Sequence, residues 1–197
     1  MSKYRKQIRI GLTGGIGAGK TFVSAIFSKL GIPVFNADYE AKRCMSEFEP
    51  LKNKIQDLFG DKVYKNGILQ NRFIADIVFN DSQMLEELNK LVHPVVRKCF
   101  EDWCADQNSD IVIKEAAILF ESNSYKSLDK VICVSAPEET RIERVINRDN
   151  TSREQVLRRI EIQIPQNEKE KLSDFVIIND GVELLLPKII KIINQIS

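Results

Sequence analysis

At 197 residues the chain has the length of one compact domain, a single core carrying insertions, which excludes a large multidomain machine. Lys and Arg total 29 against 28 Asp and Glu, a net charge of +1, so a broad basic surface for nucleic acid is excluded and any phosphate recognition must be local. With 43% apolar and 29% charged residues the chain lies well outside the low-hydrophobicity, high-charge regime of disorder and can bury a core.

Cys44, Cys99, Cys104 and Cys133 form no Cys-x-x-Cys pair, and the chain has 1 histidine, so a Cys/His zinc site is not supported and the thiols read as reduced and structural. Lys3, Arg5 and Lys6 imitate the basic start of a secretory signal, but the apolar run behind them breaks at Gly11, Gly14 and Gly15. No stretch reaches the roughly 18 apolar residues of a membrane span. The expected setting is the cytoplasm, with no membrane and no nucleic-acid partner.

In chain order, Gln7 to Leu12 predicts a short buried strand. Lys20 to Leu30 carries Phe22, Val23, Ile26, Phe27 and Leu30 at helical spacing and ends at Gly31. Ile32 to Phe35 predicts a second strand leading into Asn36-Ala37-Asp38, at the separation of a βαβ repeat. Strand signals then nearly vanish from Tyr39 to Asp106, where helical patterns occupy Leu51 to Phe59, Phe73 to Phe79 and Met84 to Trp103, so an inserted helical subdomain is expected. Strands resume at Asp110 to Ile113 and Lys130 to Val134, followed by a helix with Pro137 in its first turn. Between Asn147 and Lys171 the helix-forming sequence is too charged for a core and predicts a mobile lid. Asp174 to Ile178 gives a fifth strand, and Leu184 to Ile196 an amphipathic helix. There is no internal repeat and no linker. The expected fold is α/β and doubly wound, a five-stranded parallel sheet with helices on both faces.

Gly14-Gly15-Ile16-Gly17-Ala18-Gly19-Lys20-Thr21 fits Gly-x-x-x-x-Gly-Lys-Thr between a predicted strand and a predicted helix, the setting of a phosphate-binding loop. Residues without Cβ let the backbone curl its N–H groups toward one centre, and the helix adds the positive end of its dipole. That centre suits a polyphosphate. Lys20 would sit between β and γ phosphates and the Thr21 hydroxyl would ligate Mg²⁺.

The loop alone leaves switches, motor-like ATPases and small-molecule kinases open. No Asn-Lys-x-Asp guanine motif exists, and Asp57-Leu58-Phe59-Gly60 fits Asp-x-x-Gly only by letters, inside the helical insertion. A kinase needs an acceptor domain, an acid near the acceptor hydroxyl and mobile arginines. The insertion, Asp38 at the carboxyl end of strand two, and the arginine-rich segment are candidates for these. From the residues alone Asp38 suits a helix N-cap equally well.

Over nearly its whole length the sequence resembles the dephospho-CoA kinase family. The likeness rests on Gly11-Leu12-Thr13-Gly14-Gly15-Ile16-Gly17, on Asn36-Ala37-Asp38, on Leu91-Val92-His93-Pro94-Val95-Val96, on Glu115 to Glu121, and on Arg144-x-x-x-Arg148-Asp149 with Ser152-Arg153-Glu154. Gln163 and Asp174-x-x-Ile177-x-Asn179-x-Gly181 complete it. The resemblance implies a P-loop kinase fold and ATP-dependent phosphorylation of the ribose 3′-hydroxyl of dephospho-CoA, with Mg²⁺; a nucleoside or nucleotide kinase of the same class is the alternative. It implies catalytic roles for Asp38, Lys20 and Arg148. ATP would bind at Gly15, Ile16, Gly17, Ala18, Gly19, Lys20, Thr21, Arg144, Arg148 and Asn179, and dephospho-CoA at Asp38 and His93.

The expected organisation is a nucleotide-binding core of residues 1–38, 107–146 and 172–197, an acceptor-binding insertion at 39–106 and a lid at 147–171, in a monomer or weak homo-oligomer. Asn36 stands where the family has the first acid of Asp-Ala-Asp, which concentrates the acid's role on Asp38. Ala117 stands where it usually has proline, a change expected to touch a loop and not the chemistry. Four alternatives stay open. Glu115 orients a metal's water shell or is a surface acid, and Asn179 lies near adenine or forms a turn. His93 touches substrate or fixes a helix start. Arg144, Arg148, Arg153, Arg158 and Arg159 grip phosphates or form a solvated face with pairs such as Glu154 and Arg158.

Overall fold

A computed structural model describes residues 7–196, so the basic start at Lys3, Arg5 and Lys6 lies outside the described residues. The chain divides into two compact units, Met1–Phe35 with Gln107–Ser197, and Asn36–Asp106.

The first unit is built on strands β1 (Ile8–Thr13), β2 (Val34–Asn36), β5 (Ile111–Glu115), β6 (Lys130–Ser135) and β7 (Phe175–Ile178), in the spatial order β2-β5-β1-β6-β7. β1 is central: Ile8 to Leu12 run parallel to Ile111 to Glu115 on one side, and Ile10 to Thr13 to Lys130 to Cys133 on the other. Such strands are buried on both faces and therefore read as apolar runs without alternation. Helices α1 (Lys20–Lys29) and α9 (Leu185–Ile196) bring Val23, Phe27, Leu185, Ile189 and Ile192 onto Ile10, Leu12, Ile113, Ile132, Val134 and Ile177. Because the chain leaves β1 toward β2 and later returns to the far side through β6, the strand order reverses beside β1, where open α/β sheets place ligands.

Helices α6 (Glu138–Asp149), α7 (Arg153–Glu161) and α8 (Gln166–Lys171) lie between β6 and β7. Segment 147–171 gives no residue to the cluster around the sheet, yet it is not wholly solvated: Val156 is fully buried in a small separate cluster with Ile142 and Val145, and Lys169 is fully buried. Pro137 stands at the cap position and not inside the first turn of α6, and strand two is shifted to Val34–Asn36.

The second unit holds α2 (Ala37–Glu47), α3 (Glu49–Phe59), a hairpin of β3 (Tyr64–Lys65) and β4 (Ile68–Leu69), α4 (Asn71–Asn80) and α5 (Ser82–Ala105). α5 buries Leu88, Val92, Val96, Phe100 and Cys104, one residue per turn, and packs on α2, α3 and α4. A helix start near Asp38 is among the sequence expectations, and α2 supplies it two residues earlier, whereas the hairpin is an addition to them. The hairpin had a signal: Asn66-Gly67 with φ of 52° and 78° is a two-residue turn with both centres left-handed, for which Asn-Gly is the favoured pair. Tyr64 Oη donates to the Met45 carbonyl at 2.6 Å, tying the hairpin to α2. Among the described residues Glu40, Cys44 and Cys99 group their donor atoms within 4.8 Å. Glu40 is already held by Arg43 at 2.8 Å, and burial pushes the Cys44 thiol up to about 11, which suits a protonated structural thiol. No described helix is long and apolar enough to cross a membrane.

Candidate active site

The loop between β1 and α1 ends at Gly19, which caps α1 with φ 92°, ψ 29° and no side-chain hydrogen bond; no acidic residue occupies the first turn. The first N–H groups of a helix have no intrahelical acceptor, so this end is an anion site by construction. Gly19 is required sterically as well as conformationally, because a Cβ there would stand 2.1 Å from Asn179 Nδ2. Lys20 Nζ folds back to donate to the carbonyls of Gly14 at 2.9 Å and Gly15 at 3.3 Å.

Glu115 ends β5, directly opposite Leu12 of β1. It is 6% exposed, accepting from Thr21 Oγ1 at 3.3 Å and from Ser24 Oγ at 2.8 Å. A solvated surface acid is thereby excluded. A buried carboxylate against the loop threonine forms a set of hard oxygen donors, which fits Mg²⁺. Ser24 had no sequence signal beyond lying one helical turn after Thr21.

Asn179 is buried behind β7. Its Nδ2 donates to the Ala18 carbonyl at 2.9 Å, its N–H to Ser135 O at 2.7 Å, and its own carbonyl accepts from Arg144 Nη1 at 3.1 Å. The turn that follows is made by Asp180, whose Oδ1 accepts from Val182 N at 2.9 Å and Glu183 N at 3.2 Å. Asn179 is thus an anchor of the loop and not the turn residue.

Three further side chains reach the loop. Arg141 is 4% exposed, its Nη1 2.2 Å from where a Cβ on Gly15 would lie, and its Nε is buried without a partner. Burial pulls its pKa below the usual guanidinium value. Gln166 Oε1 accepts from Gly15 N at 2.8 Å and Gln163 Oε1 from Ile16 N at 3.0 Å. Arg141 and Gln166 carry no sequence signal, since a lone Arg within a charged helix and a Gln in a charged run form no local pattern.

The other arginines stand apart from the loop. Arg148 is exposed and donates to Asp149 at 2.7 and 3.2 Å, and Arg159 reaches the same carboxylate at 2.7 Å. Arg148, then Arg159, hold the Asp149 carboxyl below the usual carboxylate range. Arg153 forms a two-pronged pair with Glu139, both contacts 2.7 Å.

In the second unit, Asp38 is exposed as the second residue of α2. It does not cap the helix: Asn36 does, its Oδ1 accepting from Tyr39 N at 2.8 Å. The residue in place of the family's first acid therefore has a defined local task. His93 is half-buried inside α5, followed by Pro94 within the same helix, so it marks no helix start.

A sequence model of the family described as dephospho-CoA kinase matches residues 8–184. A dephospho-CoA kinase of Bacteroides fragilis strain YCH46 is 38% identical over 187 residues, covering 94% of this chain and 91% of that protein. Among solved structures, a Thermus thermophilus protein has a TM-score of 0.88 at 34% identity, covering 96% of this chain and 97% of that one. A dephospho-CoA kinase from Campylobacter jejuni has a TM-score of 0.68 at 29% identity, covering 96% of each chain. None of these matches favours a nucleoside or nucleotide kinase. The family match runs from β1 to the residue before α9, across both compact units, and relatives of this similarity span nearly the whole of both chains: the chain belongs to the dephospho-CoA kinase family.

Proposed function

We propose that this protein transfers the γ-phosphoryl group of ATP to the ribose 3′-hydroxyl of dephospho-CoA, giving coenzyme A and ADP. The observation that carries the proposal is the glycine loop whose Thr21 and Ser24 hydroxyls meet the buried Glu115, in a chain of this family. Loop N–H groups and Lys20 bind the β and γ phosphates, where charge spreads over the equatorial oxygens of a loose transition state. Thr21, backed by Glu115, holds Mg²⁺, which supplies neutralisation of phosphate charge when bound. Arg144 and Asn179 fix the loop on the nucleoside side.

Asp38 hydrogen-bonds the acceptor hydroxyl, orients its oxygen in line and takes its proton late in the transfer. His93 lies in the dephospho-CoA site. Arg148 and its neighbours in 147–171 form a lid that excludes water, which would otherwise compete as acceptor. In this reading residues 39–106 bind the acceptor, 147–171 form the lid and the rest of the chain is the nucleotide-binding core, with the compact unit Asn36–Asp106 supporting the insertion. Four free thiols fit a reducing compartment such as the cytoplasm, where the protein acts as a monomer or weak homo-oligomer.

The test is mass spectrometry of the product formed from dephospho-CoA and ATP, which should gain one phosphate at the 3′ position; ADP formation no faster than ATP hydrolysis without acceptor would refute the reading. Asp38→Asn should keep ADP binding and lower turnover about 100-fold. A fully active Asp38→Asn enzyme would remove Asp38 as base while leaving the kinase reading intact.

A further inference from the structure

We propose that Gln163 and Gln166 are positioning residues: from the turn between α7 and α8 their carboxamides hold the entrance of the phosphate loop in its nucleotide-receiving shape. Gln166 Oε1 takes the Gly15 N–H and Gln163 Oε1 takes the Ile16 N–H, at 2.8 and 3.0 Å. These are the first two residues after Gly14, and the donors farther along, at Gly17, Gly19 and the first turn of α1, are the ones left to a phosphate. Without the carboxamides, two adjacent N–H groups in a half-buried loop would need water or a different backbone path.

Gln166 is fixed in one orientation. Its Nε2 donates to the Val134 carbonyl at 3.3 Å, to Glu170 Oε1 at 3.2 Å and to Cys133 Sγ at 3.2 Å, and Glu170 in turn accepts from Ser135 Oγ at 2.5 Å. Turning the amide over would set N–H against N–H at Gly15 and oxygen against oxygen at Val134. A side chain here must accept on one side and donate on the other, which glutamate cannot do beside Glu170. Gln163 acts toward Ile16 through its carbonyl oxygen, so glutamate at 163 retains the acceptor. The end of β6, the start of α8 and the phosphate loop thus share one hydrogen-bond chain, and the charged helices α7 and α8 are registered to the loop by their connecting turn.

The role rests on the reading that the loop receives nucleotide phosphates. Amide hydrogen exchange of the ¹⁵N-labelled full chain tests the bonds without nucleotide, and ADP–Mg²⁺ titration tests their consequence. Gln166→Leu should speed exchange at Gly15, and Gln163→Leu at Ile16, by about tenfold or more, the worth of one lost hydrogen bond. Each should weaken ADP about fivefold to tenfold and lower the melting temperature by only a few degrees, while KM for dephospho-CoA stays near wild type. Gln163→Glu should keep the slow exchange at Ile16, whereas Gln166→Glu should lose it at Gly15. Unchanged exchange at both amides, unchanged ADP affinity with a lowered melting temperature, or tighter ADP binding because the carboxamides compete with phosphate would each overturn the proposal. Failure of the wild-type chain to bind ADP would strike the functional reading instead, with the exchange data still reporting on the two bonds.

Discussion

Replacing Lys169 with Met should destabilise the protein by about 3 kcal/mol, because it strands a carboxylate. Lys169 is fully buried; its Nζ lies 2.7 Å from Glu121 Oε1 and 2.8 Å from the Ala117 carbonyl. Methionine fills nearly the same volume, so little of the loss comes from a cavity. What remains is Glu121, 19% exposed, with Oε1 accepting only the Ile164 N–H at 3.0 Å among its neutral partners and Oε2 buried without any. Breaking one side of a buried pair costs about 3 to 5 kcal/mol, and the residual exposure of Glu121 places this case at the lower end. Urea unfolding at pH 7 should show the loss in Lys169→Met. The double variant Lys169→Met, Glu121→Leu should recover most of it, giving a coupling energy of about 2 kcal/mol or more. A single variant within about 1 kcal/mol of wild type and a coupling near zero would refute the reasoning, since the pair would then be no better than a surface one. The same geometry explains why Ala117 serves where the family usually has proline: Lys169 takes its backbone carbonyl, which either residue supplies.

Lys20→Ala should leave the fold intact and lower turnover about 100-fold or more, measured by ADP release, since it removes an ammonium that folds over the loop. Gly19→Ala should cost about 1 to 2 kcal/mol from its left-handed φ of 92° alone, and more from collision with Asn179; wild-type ADP affinity in that variant would contradict the anchor role of Asn179. Alkaline pH offers a separate test, because burial pushes the Cys133 thiol up to about 11 from 9.0. The native state then keeps a proton that the unfolded chain releases, so stability is full below about pH 9 and falls by up to about 3 kcal/mol as pH rises through 11. Cys133→Ala should flatten urea-derived stability across that window, leaving the share of Cys44; an unchanged slope would show that Cys133 does not titrate there.

The sheet was legible because its strands are continuous apolar runs and its crossovers carry helical spacing. The phosphate loop was legible because its glycines, Lys20 and Thr21 are consecutive. Neither condition holds for the side chains that shape the loop. Glu115, Arg141, Gln163, Gln166 and Asn179 come from four separate segments and meet only through strand order, with β5 and β6 flanking β1. Spacing in sequence says nothing about which of many acids or glutamines will arrive. Asp38 shows the complementary difficulty: helix caps and catalytic acids draw on the same residue types, and only coordinates reveal that Asn36 takes the cap. Only the start of α2 was legible, through the capping residue types at 36–38; its extent was obscured because its composition is polar, with Ala37 and Cys44 alone buried.

A net charge of +1 hides two populations of cations with different electrostatic standing. Those at the loop make contacts of a different kind: Lys20 donates to two carbonyls and Arg144 to a third, while Arg141 lies buried against Gly15 with Nη2 3.6 Å from Glu138 Oε2 and Nε without a partner. Partly withdrawn from bulk water, they stand to gain when an anion arrives. The arginines of α6 and α7 are instead paired with carboxylates at the surface, Arg148 and Arg159 on Asp149 and Arg153 on Glu139. For them to grip a phosphate, each must exchange one anion for another in high dielectric, a change small in free energy and screened by salt. Tight nucleotide binding is therefore a property of the loop, while the exposed arginines are suited to reversible contacts made and broken in each turnover.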